Sequence, residues 1–166
     1  TNPDHVYALV AKQDSKQGGF ARSTDGGATW TAVDMANANI LATQGSNCIF
    51  LAADPKTPGT LYAGGLDAWK STNEGDTWTK ISDWSGPTVP PRPLPYLHSD
   101  QHLMVWGADG TAYIGNDGGI FQMTATAFKG LNAHIVGYLV DEICTNPAGT
   151  VIMVGAQDNG TPIMRE

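Results

Sequence analysis

Two octapeptides with a common frame constrain the fold of this chain more than any other feature. Ser23–Trp30 reads S-T-D-G-G-A-T-W and Ser71–Trp78, 48 positions later, reads S-T-N-E-G-D-T-W. Serine and aspartate oxygens accept hydrogen bonds from nearby backbone N–H groups, and Gly26 or Gly75 supplies the positive φ that a tight turn requires. Each terminal tryptophan is expected to bury about 150–250 Å² against the sheet below it. A repeat at this spacing predicts consecutive four-stranded antiparallel sheets.

A second anchor extends the repeat to four units. Short β-rich runs follow turns that are marked by Asn-Pro, Asp-Pro or Asp-Gly. The four runs are Val6–Ala8, Leu61–Gly64, Ala112–Gly115 and Ile152–Gly155. The third unit has lost the octapeptide, but Phe128 keeps an aromatic residue at the tryptophan position. The sequence therefore predicts an all-β fold with units at about 1–33, 48–81, 102–132 and 138–166, and a proline-rich insertion at 82–97.

The octapeptides resemble the Asp-box, or bacterial neuraminidase repeat, of sialidases, sortilin-type receptor domains and xyloglucan-cleaving glycosidases. The resemblance implies a β-propeller in which the box is structural and lies away from the usual active face. The residues that match the box are Ser23, Asp25, Gly27, Trp30, Ser71, Asn73, Gly75 and Trp78. Because propellers of this kind have six or more blades, we expect a segment of a six- to eight-bladed ring, whose open edges the remaining blades or a second chain would cover.

The composition favours an extracellular or cell-surface β protein and excludes some partners. Charged residues make up 15% of the 166 positions, the formal net charge is −7, and the nine lysines and arginines are not clustered. This pattern gives no electrostatic footprint for nucleic acid or an anionic membrane. No apolar run approaches the roughly 20 residues of a membrane span, no signal peptide is visible, and no motif indicates a cofactor.

The two cysteines are expected to be unpaired. Cys48 and Cys144 align with the inner strands of the second and fourth units. Strands two units apart lie beyond the Cα separation of about 4.4–6.8 Å that a disulfide tolerates. We therefore expect two buried free thiols that pack as small apolar groups.

Three polar, glycine-flanked segments occupy equivalent loops, on the face where propellers usually bind ligands. Their candidate ligand-binding residues are Asp67, Asn116, Asp117, Gln157 and Asp158. One interpretation is that these side chains bond to their own turns. The other is a ring of carboxylates and amides that hydrogen-bonds to sugar hydroxyls.

Asp117 is the candidate catalytic residue, through a second resemblance. Asn116-Asp117-Gly118-Gly119 is similar to the loop of xyloglucan-cleaving propellers, in which a catalytic aspartate precedes two glycines, although their aspartate aligns with Asn116. Glycoside hydrolysis ordinarily needs two carboxylates about 5 Å or roughly 6.5–9.5 Å apart. The sialidase arginine triad is a poorer match, since the chain has only Arg22, Arg92 and Arg165.

A histidine motif and a stiff loop complete the candidate site. The period of a strand predicts that His98, Asp100 and His102 lie on one side. There the three side chains would hold a metal such as zinc, or Asp100 and backbone carbonyls would hold the two imidazoles. A third possibility is that His98 or His102 acts in catalysis with Asp117. We favour the second arrangement and predict no metal. Five prolines stiffen the 82–97 insertion, which presents Trp84 and Tyr96 either to sugar rings or to the adjacent blade.

These features favour a propeller module that recognises carbohydrate or protein, with a polysaccharide or glycoprotein as partner and without catalysis of its own. A glycoside hydrolase that acts on polysaccharide is the first alternative. A receptor-like or surface-assembly scaffold that another chain completes is the second.

Overall fold

The computed structural model describes residues 2–35, 37–85, 93–133, 140–148, 150–158 and 163–165. In this part of the chain the regular elements are all β-strands, so the all-β prediction is confirmed. The first half holds β1 (Val6–Ala11), β2 (Gln17–Ser23), β3 (Thr31–Val33), β4 (Phe50–Ala53), β5 (Leu61–Gly64), β6 (Ala68–Ser71) and β7 (Thr79–Lys80). The second half holds β8 (Gln101–Trp106), β9 (Ala112–Asn116), β10 (Gly119–Met123), β11 (Phe128–Gly130), β12 (Val140–Thr145), β13 (Val151–Ala156) and β14 (Ile163–Arg165).

The strands form four antiparallel meanders in chain order. The first sheet is β1-β2-β3, the second β4-β5-β6-β7, the third β8-β9-β10-β11 and the fourth β12-β13-β14. The strand β1 corresponds to β5, since Tyr7 pairs with Arg22 as Tyr62 pairs with Lys70. Within the described residues there is no helix that could cross a membrane.

The first, second and third sheets pack face to face in chain order, so the second sheet is covered on both sides. Leu61 and Ala63 on β5 face a core shared with Phe20 of the first sheet. Tyr62, between them, faces the opposite way and packs with Ile114 of the third sheet. This alternation follows from the period of two in a strand. The inner strands β4 and β8 of the second and third sheets also contact each other, and β4 contacts β1 of the first sheet.

The two octapeptides form the same hydrogen-bonded turn. In the first, the Ser23 hydroxyl accepts a bond from the Gly27 N–H at 2.9 Å, and Asp25 accepts one from the Thr29 N–H at 2.8 Å. In the second, Ser71 accepts from the Gly75 N–H at 2.9 Å and Asn73 from the Thr77 N–H at 3.0 Å. The φ angles of Gly27 and Gly75 are 94° and 91°, which an L side chain rarely adopts. One local sequence frame therefore builds one local structure twice.

The two tryptophans that end these turns differ in burial. Trp78 is 4% exposed and meets Phe20 of the first sheet edge to face, with ring centroids 5.7 Å apart. Trp30 is 47% exposed and donates its Nε1–H to the Gly27 carbonyl of its own turn at 2.9 Å. The expectation that both tryptophans plug their sheets is wrong for Trp30, because no described sheet lies where Phe20 lies for Trp78.

The third sheet keeps an aromatic side chain at the position of the missing tryptophan. Phe128, at the tryptophan position, is partly buried against the core between the second and third sheets.

Cys48 and Cys144 are both free, as predicted. Cys48 is buried, but Cys144 is exposed, so the expectation of a buried thiol is wrong there. Ile143, on the opposite face of β12, is also exposed, so neither face of the strand is covered there by the described residues.

Candidate functional site

The candidate residues gather where three equivalent turns meet the segment before β8. These turns follow β5, β9 and β13. The backbone N–H of Gln101 donates to the Gly65 carbonyl at 2.7 Å, and the His98 ring nitrogen Nε2 lies 2.9 Å from the Asp158 carbonyl oxygen. The segment 98–101 thus connects the turns of the second, third and fourth sheets.

A buried amide pair fixes this junction. Gln101 is 0% exposed, and its Nε2 donates to the Leu66 carbonyl at 3.3 Å and also to the His98 carbonyl. Asn116, 8% exposed, donates to Gln101 Oε1 at 3.1 Å and to the His98 carbonyl at 3.2 Å, while its Oδ1 accepts from the Gly118 N–H at 3.0 Å. Asn116 therefore has internal partners for both of its polar atoms. Gln101 was missed by sequence reasoning, because a glutamine among polar neighbours gives no signal of burial.

His102 and Asp117 form an accessible pair. His102 Nε2 lies 2.6 Å from Asp117 Oδ1, and the two side chains are 46% and 29% exposed. The bond joins the start of β8 to the turn between β9 and β10. A carboxylate on one ring nitrogen fixes the orientation and tautomer of an imidazole and leaves Nδ1 as its other polar atom. Both side chains of this pair are accessible to solvent.

Asp100 points to a thiol. The Cys48 Sγ donates to Asp100 Oδ1 at 3.2 Å. Burial is the largest of the causes that raise the pKa of Cys48 to about 12, and the hydrogen bond to Asp100 and the charges of Asp100 and Asp117 act in the same direction. The thiol stays protonated at neutral pH and serves as a hydrogen-bond donor, not as a nucleophile.

The three residues of the histidine motif do not share one side of a strand, so that expectation is wrong. His98 and Asp100 precede β8, Asp100 has a φ of 61°, and the pairing of β8 with β9 shifts between Gln101 and Leu103. A left-handed residue followed by a bulge breaks the period of two. Within the described ranges no group of three or more His, Cys, Asp or Glu has an arrangement that holds a metal ion.

Asp67 has an internal role in the structure. Its side chain is 8% exposed and its Oδ2 lies 2.8 Å from Lys80 Nζ. Its Oδ1 accepts from the Ser82 hydroxyl at 3.2 Å and from the Trp84 N–H at 2.9 Å. Asp67 thus anchors the start of the proline-rich insertion.

Trp84 and Tyr96 lie at the two ends of that insertion and are 43% and 41% exposed. The Asp83 N–H donates to the Pro95 carbonyl at 3.0 Å, which joins the residues next to the two aromatic side chains. Residues 86–92, with Arg92, lie outside the described part of the chain.

The remaining candidates lie nearby or apart. Gln157 and Asp158 are exposed after β13, and Asp158 has a φ of 58°. Arg22 lies at another junction, where its Nη1 is 2.8 Å from Asp76 Oδ1.

Comparison with known proteins supports the fold. No family model and no curated protein matches the chain. Among solved structures, a GH74 enzyme from Niastella koreensis matches with a TM-score of 0.56 and 24% identity, over 98% of this chain and 26% of that protein. An ancestral GH74 enzyme matches with a TM-score of 0.42 and 17% identity over 91% of this chain and 21% of its own length. YCF48 bound to a D1 peptide matches with a TM-score of 0.41 and 10% identity over 95% of this chain and 46% of its own.

The chain spans about a quarter of the length of the GH74 enzyme from Niastella koreensis. At this level of identity the likeness concerns the fold alone. Together with the four consecutive antiparallel sheets, it identifies the chain as a segment of a β-propeller.

Proposed function

We propose that this chain is a recognition module of an extracellular β-propeller, and that it binds polysaccharide through the junction of Trp84, Tyr96 and the His102–Asp117 pair. The observation that carries the proposal is the anchored insertion with two exposed aromatic side chains at its base. The module binds without catalysing a reaction of its own.

The aromatic side chains of Trp84 and Tyr96, at the base of the insertion, are suited to contact with sugar rings. Large rings with an apolar face and a polar edge contribute contact area at a low cost in conformational entropy. The Asp67 and Pro95 hydrogen bonds hold the backbone beside Trp84 before any ligand arrives. Preorganisation of this kind reduces the free energy that binding must spend on ordering. The accessible His102 and Asp117 supply the donor and acceptor that sugar hydroxyls need.

The two octapeptides have a structural role in this proposal, as Asp-boxes. This assignment is supported by their shared Ser-to-Gly and Asp/Asn-to-Thr hydrogen bonds, which involve no atom of the junction.

Affinity electrophoresis of the 166-residue chain in gels that contain neutral polysaccharides tests the proposal. We expect retardation by at least one polysaccharide, and loss of the retardation in Trp84→Ala. Trp30→Ala is the matched control, since Trp30 is a similarly exposed tryptophan on the first sheet, at 47% against 43% for Trp84. Migration that no polysaccharide changes, or retardation that Trp84→Ala leaves intact, would contradict the proposal.

A glycoside hydrolase is the second candidate, favoured by one observation. Asp100 accepts from Cys48, and Asp117 pairs with His102, two residues after Asp100, so both carboxylates belong to the same junction. Hydrolysis by such a pair follows if one acts as acid and the other as base or nucleophile. Release of reducing sugar should then vanish in Asp117→Asn and persist in Asp109→Asn, whose carboxylate lies in the β8–β9 turn at the opposite end of the sheet.

An assembly scaffold is the third candidate, favoured by the exposure of Trp30. Its counterpart Trp78 is covered by Phe20, so an aromatic face from another chain would bury Trp30 in the same way. Light scattering after size exclusion should then show an assembly that Trp30→Asp dissociates, whereas a concentration-independent monomer would exclude this candidate.

A further inference from the structure

The outer rim of the junction between the first and second sheets is closed by an acidic turn. Tyr7 and Arg22 are cross-strand neighbours on β1 and β2. Arg22 Nη1 lies 2.8 Å from Asp76 Oδ1 and 4.0 Å from Glu74 Oε2, and the Tyr7 hydroxyl donates to Glu74 Oε1 at 3.4 Å. The turn of the second octapeptide therefore places two carboxylates on a tyrosine–cation pair of the preceding sheet.

The second sheet carries the same tyrosine–cation pair. Tyr62 and Lys70 are cross-strand neighbours at the positions of Tyr7 and Arg22. Lys70 Nζ lies 5.5 Å from the centroid of the Tyr62 ring. Among the described residues, no carboxylate is within ion-pair distance of Lys70. The pair is thus repeated without its acidic partner.

The turn that faces Lys70 explains the difference. Met123 pairs with Phe128, at the register where Ser71 would pair with Trp78. Only Thr124–Ala127 connects them, four residues where the second octapeptide has the six residues Thr72–Thr77. The shorter turn reads T-A-T-A and contains neither aspartate nor glutamate. The third sheet therefore cannot supply the acid that the second sheet supplies.

A cavity of about 470 Å³ lies at this place. Its walls include Tyr62, Lys70, Lys80, Leu94, Thr124 and Phe128. Lys80 is neutralised by Asp67 at 2.8 Å, so Lys70 is the charge that the cavity offers to a ligand. Lys70 is partly buried, and apolar walls with one accessible cation are typical of a site that takes a carboxylate on an otherwise uncharged group.

We propose that this cavity binds an acidic peptide segment of another protein, whose carboxylate pairs with Lys70. The peptide occupies in trans the place that Glu74-Gly75-Asp76 occupies in cis at the preceding junction. A peptide fits better than an acidic sugar, because the homologous junction is closed by a peptide turn and because the walls are largely apolar. This site shares Pro95 with the base of the insertion but contains neither Trp84, Tyr96 nor the His102–Asp117 pair, and its contact with Lys70 does not depend on polysaccharide binding.

The probe is the capped pentapeptide Asn-Glu-Gly-Asp-Thr, the sequence of residues 73–77, titrated into the 15N-labelled chain. We expect saturable chemical-shift changes at residues around the cavity, and a loss of affinity of about tenfold or more in Lys70→Met, because a charge-assisted hydrogen bond is removed. Lys12→Met is the matched control, since Lys12 follows β1 on the first sheet, away from the cavity, and should bind normally.

Two further arms keep the outcome clear. The peptide Asn-Gln-Gly-Asn-Thr, which lacks both carboxylates, should not bind. Ala125→Glu keeps Lys70 but supplies an acid in cis from an exposed position of the short turn, so it should also abolish binding. The proposal is overturned if the acidic peptide does not saturate, if the uncharged peptide or Lys70→Met binds as well, or if a glucuronate oligosaccharide binds through Lys70 and the peptide does not.

Discussion

The contrast between Trp78 and Trp30 makes a quantitative prediction about stability. The two residues end the same turn but are 4% and 47% exposed. Truncation of a buried tryptophan to alanine costs about 3–5 kcal/mol. Trp78 also loses its edge-to-face contact with Phe20, about 0.5–1.5 kcal/mol, but relieves a buried Nε1–H that has no hydrogen-bond partner among the described residues. We therefore expect Trp78→Ala to cost about 3 kcal/mol or more.

Trp30→Ala is the matched comparison. About half of its side chain stays in contact with water, so the lost transfer free energy and one exposed hydrogen bond to Gly27 sum to about 1–2 kcal/mol. Trp78→Phe keeps most of the ring and removes the unpaired N–H, so we expect a change within about 1 kcal/mol.

Urea denaturation of the 166-residue chain, followed by circular dichroism, measures all three variants. Equal costs for the two alanine variants would refute the idea that Phe20 and its sheet determine the burial of Trp78. A Trp78→Phe variant as unstable as Trp78→Ala would refute the account of the unpaired indole nitrogen.

Three further predictions concern the turns and the cysteines. Hydrogen bonds from Ser23 first and then from Thr29 lower the pKa of Asp25 to about 2. The stabilisation by ionised Asp25 should therefore be complete above pH about 4 and be lost as the pH falls to about 2. In thermal melts, the melting temperature of the wild type should exceed that of Asp25→Asn above this window, and the difference should disappear within it. Gly75→Ala should destabilise more than Gly27→Ala in the same denaturation assay, because both positions have positive φ but only at Gly75 would a Cβ overlap the Phe20 ring. At pH 8, iodoacetamide should modify exposed Cys144 and spare Cys48, because burial and the raised pKa keep the Cys48 thiol protonated. A peptide-mass map measures the labelling, and equal labelling of the two cysteines would contradict the Cys48–Asp100 bond.

The sequence predicted the turns and strands that depend on residues close together along the chain. The octapeptide frame contains the serine, Asp or Asn and threonine groups that bond within its turn, so Asp25 and Asn73 form equivalent bonds in both copies. The runs around Tyr62 and Tyr113 predicted second strands because alternation and flanking turns are local signals. These features determine the four sheets and their order.

The rest depends on partners far away in sequence. Asp67 and Asp117 both stand in glycine-flanked turns, but Asp67 meets Lys80 in a buried contact and Asp117 meets exposed His102. No pattern within either turn distinguishes the two aspartates. The positive φ of Asp100 is also set by its surroundings, including Cys48. The sequence thus predicted which turns carry the candidate residues, but it could not separate the buried side chains from the accessible ones.

The junctions between sheets, more than the sheets themselves, determine what each repeat contributes. The first two sheets present the same tyrosine–cation pair to the sheet that follows. Glu74 and Asp76 close the first of these junctions, and the shorter turn of the third sheet leaves a cavity at the second. Loss of the octapeptide from one repeat therefore removes an internal ion pair without removing its cation. A cation at a partly apolar surface retains its preference for a carboxylate, and this preference is the physical basis of the proposed peptide site.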